Sequence, residues 1–345
     1  MKKTLSYAFN VLFIAVIGYL TLRLLFKDTD IESILADLHR ADKLWLAAGA
    51  LFVFFFVSGE SVIIKYMLTL FGSGVPFYRC LKYSFIGFFY SCITPSSSGG
   101  QPAQVFYMKK DGIKIGYSSL IMLVVTVAYK AVLVIFGVAF FLFKYGFVVR
   151  HTGGWLWLLA VGFILNIAYI AGLVFIFFRP FWAKAAGIRI AGFLCRIHIL
   201  KQKNLNRYTD KIERICNNYM NGAEYIKGNA RAVVNIFIIT AVQRLFLLAV
   251  TYVVYKSYGL SGTGFTEIVA IQTMIAIAVE MLPLPGAAGI TEACFIVMFN
   301  DIFTNEYVRS GMLLSRGLSF YLLLVMSAAV TFAAHLICMR KSAAE

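Results

Sequence analysis

The chain repeatedly runs for twenty or more residues with too little polarity to face water. Such runs fall at about 5–26, 44–70, 115–143, 155–178, 232–255 and 310–338. A helix of about 20 apolar residues crosses the roughly 30 Å of a bilayer's hydrocarbon. Lipid supplies no hydrogen bonds, so a spanning segment must satisfy its own backbone, and runs of this length do so as helices. Hydrophobic residues make up 61% of the 345, and charged residues 14%. A soluble domain holds about 45–50% and about 25%. The formal charge of +16 is therefore read first as basic cytoplasmic loops, not as a nucleic-acid footprint.

The first run follows Lys2 and Lys3 and leaves through "LLFKDTD". It is longer than a signal-peptide core and offers no small-residue cleavage site, so it is expected to be a permanent span. All four tryptophans (Trp45, Trp155, Trp157, Trp182) lie near run ends, as an interfacial aromatic belt requires. The six cysteines form no CxxC, and Cys195, His198 and Cys216 are too sparse a set for a metal site. No metal and no cofactor is expected.

Two further apolar stretches are interrupted. One, 80–108, is broken by "ITPSSSGGQPAQ"; the other, 267–299, by "MLPLPGAAGITEA". Each half is too short to span. Basic residues constrain both. Suppose each stretch enters and leaves on one side. The segments 1–4, 71–82, 108–114, 179–231 and 340–345 then share the inside, with twenty Lys/Arg against five acids. The outside segments 27–43, 144–154, 256–265 and 300–309 carry seven of each. Orientation follows the basic residues, so both termini are expected in the cytoplasm. The expected fold is all-α integral membrane, with about six full transmembrane helices plus two re-entrant helical hairpins in an inverted repeat. It forms one polytopic domain over 1–345. The first repeat is 44–143 with hairpin 80–108, and the second is 232–338 with hairpin 267–299. Gly/Pro-interrupted segments at corresponding places in two inverted halves point to a transporter's midplane site. Two ordinary kinked spans would also fit these breaks. Segment 179–231 is expected to be basic, cytoplasmic and amphipathic, lying against anionic lipid.

Lys130, Arg244 and Arg316 lie deep in apolar runs, and Glu60, Glu280 and Glu292 are their available partners. Charges at such depth mark a substrate pathway or pair to hold helices together. The breaks add a second kind of site. Short helices are expected to start near Gln101-Pro102 and Ile290-Thr291, and helix N-termini favour a phosphate. Ser96, Ser97, Ser98, Gln101, Gln104 and Thr291 add donors. Gly99, Gly100, Pro285, Gly286 and Gly289 shape the two tips, or serve only tight packing. Together with Lys130, Arg244, Glu280, Glu292 and Arg316, these form the candidate substrate-binding set. No HExxH, GxSxG, Walker A or GxGxxG is present, and the four histidines are scattered. No catalytic residue is assigned.

"TPSSSGGQPAQVFYMKKDG" (Thr94–Gly112) and "LPLPGAAGITEACF" (Leu282–Phe295) resemble the paired motifs of the lysylphosphatidylglycerol synthase transmembrane-region family of flippase-like membrane proteins. The resemblance covers nearly the whole chain. It implies a bacterial plasma-membrane protein that translocates an anionic or aminoacylated phospholipid such as lysyl-phosphatidylglycerol. Full-length members add a cytoplasmic domain that transfers lysine from lysyl-tRNA to phosphatidylglycerol; the membrane part is taken to flip the product outward, which lowers the negative surface charge and resists cationic peptides. The chain stops at Glu345, just after its last apolar run, so lysyl transfer by this chain alone is not expected. The alternatives are a phosphatidylglycerol lysyltransferase, or a non-transporting membrane partner of a separate synthase or transferase. The expected partner is membrane phospholipid, without nucleic acid.

Overall fold

The computed structural model describes residues 31–179, 205–284 and 286–344. The expected first span at 5–26, part of the basic segment and Pro285 lie outside the described residues.

The described residues are helical, without strands. The helices are α1 (Ile31–Arg40), α2 (Lys43–Leu70), α3 (Phe77–Cys92), α4 (Gly100–Lys110), α5 (Ile115–Phe143) and α6 (Tyr145–Thr152). After a 3-10 turn at Gly153–Trp155 come α7 (Leu156–Phe178), α8 (Leu205–Lys227), α9 (Ala230–Ser257), α10 (Phe265–Val279) and α11 (Ile290–Arg316). A π-type turn at Gly317–Leu322 leads into α12 (Leu323–Ala344). Five helical stretches are long and apolar enough to cross a membrane: Lys43–Leu70, Ile115–Phe143, Tyr145–Phe178, Ala230–Ser257 and Ile290–Ile337.

Local chemistry sets the helix ends. Asp42 caps α2 by accepting from the Leu44 amide at 2.8 Å, and Asn229 caps α9 by accepting from Ala232 at 3.0 Å. Each satisfies an amide that the first turn leaves without a partner. Pro76 precedes α3, where its missing N–H costs nothing.

Three expected loops contain helix instead. Segment 27–43 holds α1, and segment 144–154 holds α6. The third, 300–309, is the middle of α11, interrupted at Thr304 with φ 61° and ψ 160°. A threonine in that region is strained, and neither glycine nor proline announces it in the sequence. The last expected span, 310–338, therefore begins inside a longer helical stretch.

α2 and α9 lie against each other along their lengths. α3 packs on α4, α2 and α12, while α10 packs on α5, α7 and α9. Thus α3, before the first break, leans on the last helix, α12, and α10, before the second break, leans on α5. One core gathers Ile63, Met67, Tyr83, Met108 and Ile121, and another gathers Val254, Ile275, Phe295, Phe299 and Met312. The outer surface is apolar too. Phe143 is 86% exposed, and Ile164, Val325 and Phe332 are each 66% exposed. In a chain this hydrophobic, such a surface faces lipid.

α8 departs from an amphipathic helix held by lipid alone. It packs along α5. Ala223 and Ile226 are buried, and Ile226 joins the core around Met108 and Ile121.

Candidate functional site

The two breaks meet. Residues 93–99 join α3 to α4, and residues 280–289 join α10 to α11. Ser96 Oγ donates to the Leu282 carbonyl at 3.4 Å across the gap. The first tip is tied internally. Thr94 Oγ1 donates to the Tyr90 carbonyl at 2.6 Å and accepts from the Gly99 amide at 2.9 Å. Ser98 Oγ donates to the Pro95 carbonyl at 2.9 Å. Gly100 lets α4 start hard against α3: a Cβ there would lie 2.7 Å from the Gly87 carbonyl oxygen. Gly286 has φ 58°, and a Cβ there would lie 2.3 Å from the Phe320 ring.

Behind the tips lies a cavity of about 400 Å³. Its walls carry eleven of the residues expected from sequence: Ser96, Ser97, Ser98, Gln101, Gln104, Lys130, Arg244, Glu280, Gly286, Thr291 and Arg316. Gly99, Gly100, Gly289 and Glu292 do not line it, and Pro285 lies outside the described residues. Glu60, Thr126, Tyr129 and Gln272 also line it. Thr126 was legible, since it lies one turn before Lys130 on the same helix face. Nothing in the sequence singles out Tyr129.

The charges are paired. Arg244, whose side chain is fully buried, grips Glu280 with two bonds of 2.7 and 2.9 Å. Lys130 donates to the same carboxylate at 2.9 Å. The Arg244 guanidinium also lies 3.5 Å from the centre of the Tyr129 ring, a close cation–π contact. Two cations share one anion, so the cluster keeps a net charge of +1. Bidentate geometry and a stacked face are what arginine offers and lysine does not. Nearby, Arg316 donates to Glu292 at 2.7 Å and to the Gly286 carbonyl at 3.0 Å. This pair is neutral and clamps the second tip.

Of the two readings of the deep charges, pathway or pairing, the geometry displays the pairing. Arg244 and Arg316 are not free cations awaiting a phosphate, because each already holds a carboxylate. Glu280 and Glu292 are in turn each held by those cations. The N-terminus of α11 is not an open anion site: the Glu292 carboxylate accepts from the Gly289 amide at 2.7 Å, and Thr291 Oγ1 turns back to the Ala287 carbonyl at 2.8 Å. The excess charge on Lys130 and Arg244 is what remains for an anionic ligand. Gln101 Nε2 donates to Thr126 Oγ1 at 3.3 Å, a long bond that leaves its amide adaptable.

A second neighbour supports the α10 end. Asn166 Nδ2 on α7 donates to the Ile277 carbonyl at 3.2 Å, one of the last carbonyls before the break, which the helix itself cannot satisfy. Among the described residues, no group of His, Cys, Asp and Glu could hold a metal ion.

A helical, multi-pass membrane protein with a charged internal cavity is the class that this fold and site define. The chain belongs to the family described as the lysylphosphatidylglycerol synthase TM region, whose model matches residues 7–327. It is also similar to a UPF0104 membrane protein of Archaeoglobus fulgidus, 22% identical over 289 residues, which span 81% of this chain and 83% of that protein.

Proposed function

We propose that the protein translocates an anionic or aminoacylated phospholipid across the membrane, flippase-like, with the headgroup in the cavity and the acyl chains in lipid. The observation that carries this is the net +1 cluster of Lys130, Arg244 and Glu280 facing a cavity of about 400 Å³ at the meeting of two interrupted helix pairs. Charge buried at membrane depth is costly and marks a pathway. Non-helical backbone at that depth is tolerated where it is buried in protein or lines a wet cavity. In this account 80–108 and 267–299 are re-entrant hairpins from opposite faces, within inverted repeats 44–143 and 232–338. The order long helix, short helix, break, helix recurs in both halves and supports the repeat; in the second half the helix after the break is kinked at Thr304 and runs on toward the last span without a loop. The basic segment 179–231 lies on the cytoplasmic side with both termini. The headgroup phosphate faces Lys130 and Arg244, and the hydroxyls and amides of Ser96, Ser97, Ser98 and Gln101 contact its polar groups.

Phosphatidylglycerol carrying a photoreactive headgroup tests this. The expected crosslinks fall at 96–98, on Gln101 and at 286–287, and unlabelled phosphatidylglycerol competes them away. Crosslinks confined to the lipid-facing surfaces of α5, α7 and α12 would contradict the site.

A further inference from the structure

We propose that Glu60 is a proton-binding site that couples uptake of one anionic phospholipid headgroup to uptake of one proton; this rests on the cavity being the headgroup site. Glu60 lies on α2, is 8% exposed and lines the cavity. Among the described residues it has no cation within ion-pair distance, unlike Glu280 and Glu292. An ionised carboxylate buried without a counter-ion is strongly disfavoured, and the usual resolution is to bind a proton.

Every element packed on that position supplies a neutral neighbour or a cation already engaged. Gln104 Nε2 on α4 donates to Glu60 at 2.5 Å. Ser84 on α3 also lies beside Glu60. Cys92 on α3 and Tyr129 on α5 line the same cavity. On α9, Gln243 packs against Gly59, and Arg244 is bound to Glu280. On the π-type turn's flank, Arg316 is bound to Glu292. Lys65, on α2 itself, lies against the Phe77 ring, 6.0 Å from its centre. Ser84 suits both protonation states. Its hydroxyl already accepts from Ser61 at 2.9 Å, so it can donate to a carboxylate or accept from a carboxylic acid.

Counting charge gives the coupling. Among the described residues, the charged side chains lining the cavity are Glu60, Lys130, Arg244, Glu280 and Arg316, with Arg316 neutralised by Glu292 just behind. With Glu60 ionised the cavity is neutral; with Glu60 protonated it is +1. A phosphodiester of charge −1 therefore restores neutrality only when Glu60 carries its proton. By linkage the lipid raises the site's proton affinity, and the proton raises its lipid affinity, by the same factor. Loss of the proton on the alkaline side returns the cavity to neutrality and releases the headgroup.

The test uses the purified full chain in phosphatidylcholine liposomes containing fluorescent phosphatidylglycerol, with the membrane potential clamped and a pH difference of one unit imposed. The wild type is expected to enrich the lipid severalfold in the leaflet facing the alkaline side, and to reverse when the gradient reverses. In Glu60→Gln, any movement that remains is the same under both gradients; Glu60→Asp, which keeps a carboxyl, retains the response. Wild-type flipping that ignores the gradient would overturn proton coupling and leave the translocase reading intact. A folded wild-type protein that moves no lipid under any gradient would overturn both.

Discussion

Three residues in the tips, Ser96, Ser97 and Ala287, hold positive φ without being glycine, at 50°, 55° and 49°. A side chain in that region costs about 1–2 kcal/mol. Ala287→Gly is therefore expected to stabilise the protein by about 1 kcal/mol, read as a higher unfolding temperature in detergent. An unchanged or lower temperature would show that the tip is not strained at Ala287. Arg244 carries the largest single stake. Its removal leaves Glu280 in the interior with Lys130 alone, and breaking a buried pair costs about 3–5 kcal/mol. Arg244→Ala should lose stability as well as lipid movement, and more of it than Lys130→Ala, since Lys130 is 11% exposed and Arg244 fully buried. Equal unfolding temperatures for the two variants would contradict that ranking. The sequence showed three deep cations and three deep carboxylates but not their pairing, because partners such as Lys130 and Glu280 lie 150 residues apart. That Glu60 pairs with no cation among the described residues is the piece that only the packing of α2 against α3 and α4 reveals.

At the scale of elements, the α3–α4 pair is pinned at its open end. Lys82 and Tyr83, in the second turn of α3, both donate to Asp111 at the end of α4, each at 2.5 Å. Burial pushes the Asp111 carboxyl up, but the Lys82 and Tyr83 hydrogen bonds and the Lys82 charge outweigh it, so its pKa lies below the usual 3.8. A carboxyl whose folded pKa is depressed contributes stability that is complete above its unfolded value and fades as pH falls through the folded one. The wild type is therefore expected to lose more stability than Asp111→Asn does as pH falls below the unfolded aspartate value of about 3.9 and through the depressed folded one. Identical losses would remove the carboxylate from that role. The elements themselves were largely legible. Apolar runs at 44–70, 115–143 and 155–178 correspond to α2, α5 and α7 within a few residues, and the expected helix starts near 101 and 290 fall at Gly100 and Ile290. Length and hydropathy fix those helices, and glycine-rich breaks fix those starts. Thr304 was illegible because the kink there uses a residue with no preference for it. α1 was passed over although Ile31, Ile34, Leu35 and Leu38 recur at helical spacing, and α6 was hidden because it follows α5 almost without a gap.

For the whole molecule, the lipid-facing surface and the charged interior divide the sequence cleanly. Apolar side chains such as Ile164 and Phe332 stand on the outside, while Glu60, Gln104, Arg244 and Glu292 are buried. This inversion of a soluble protein follows from the solvent, since lipid accepts apolar surface and a polar cavity needs protein around it. The central claim is that this arrangement carries a headgroup through the bilayer. The most direct test is movement of fluorescent phosphatidylglycerol, with and without a lysyl group, in liposomes holding only this chain, followed by quencher accessibility. The account predicts exposure of at least one of the two lipids about tenfold faster than in protein-free liposomes, with that gain lost in Lys130→Gln. No acceleration of either lipid by protein shown to be folded would contradict it, and would favour a non-transporting partner of a separate synthase.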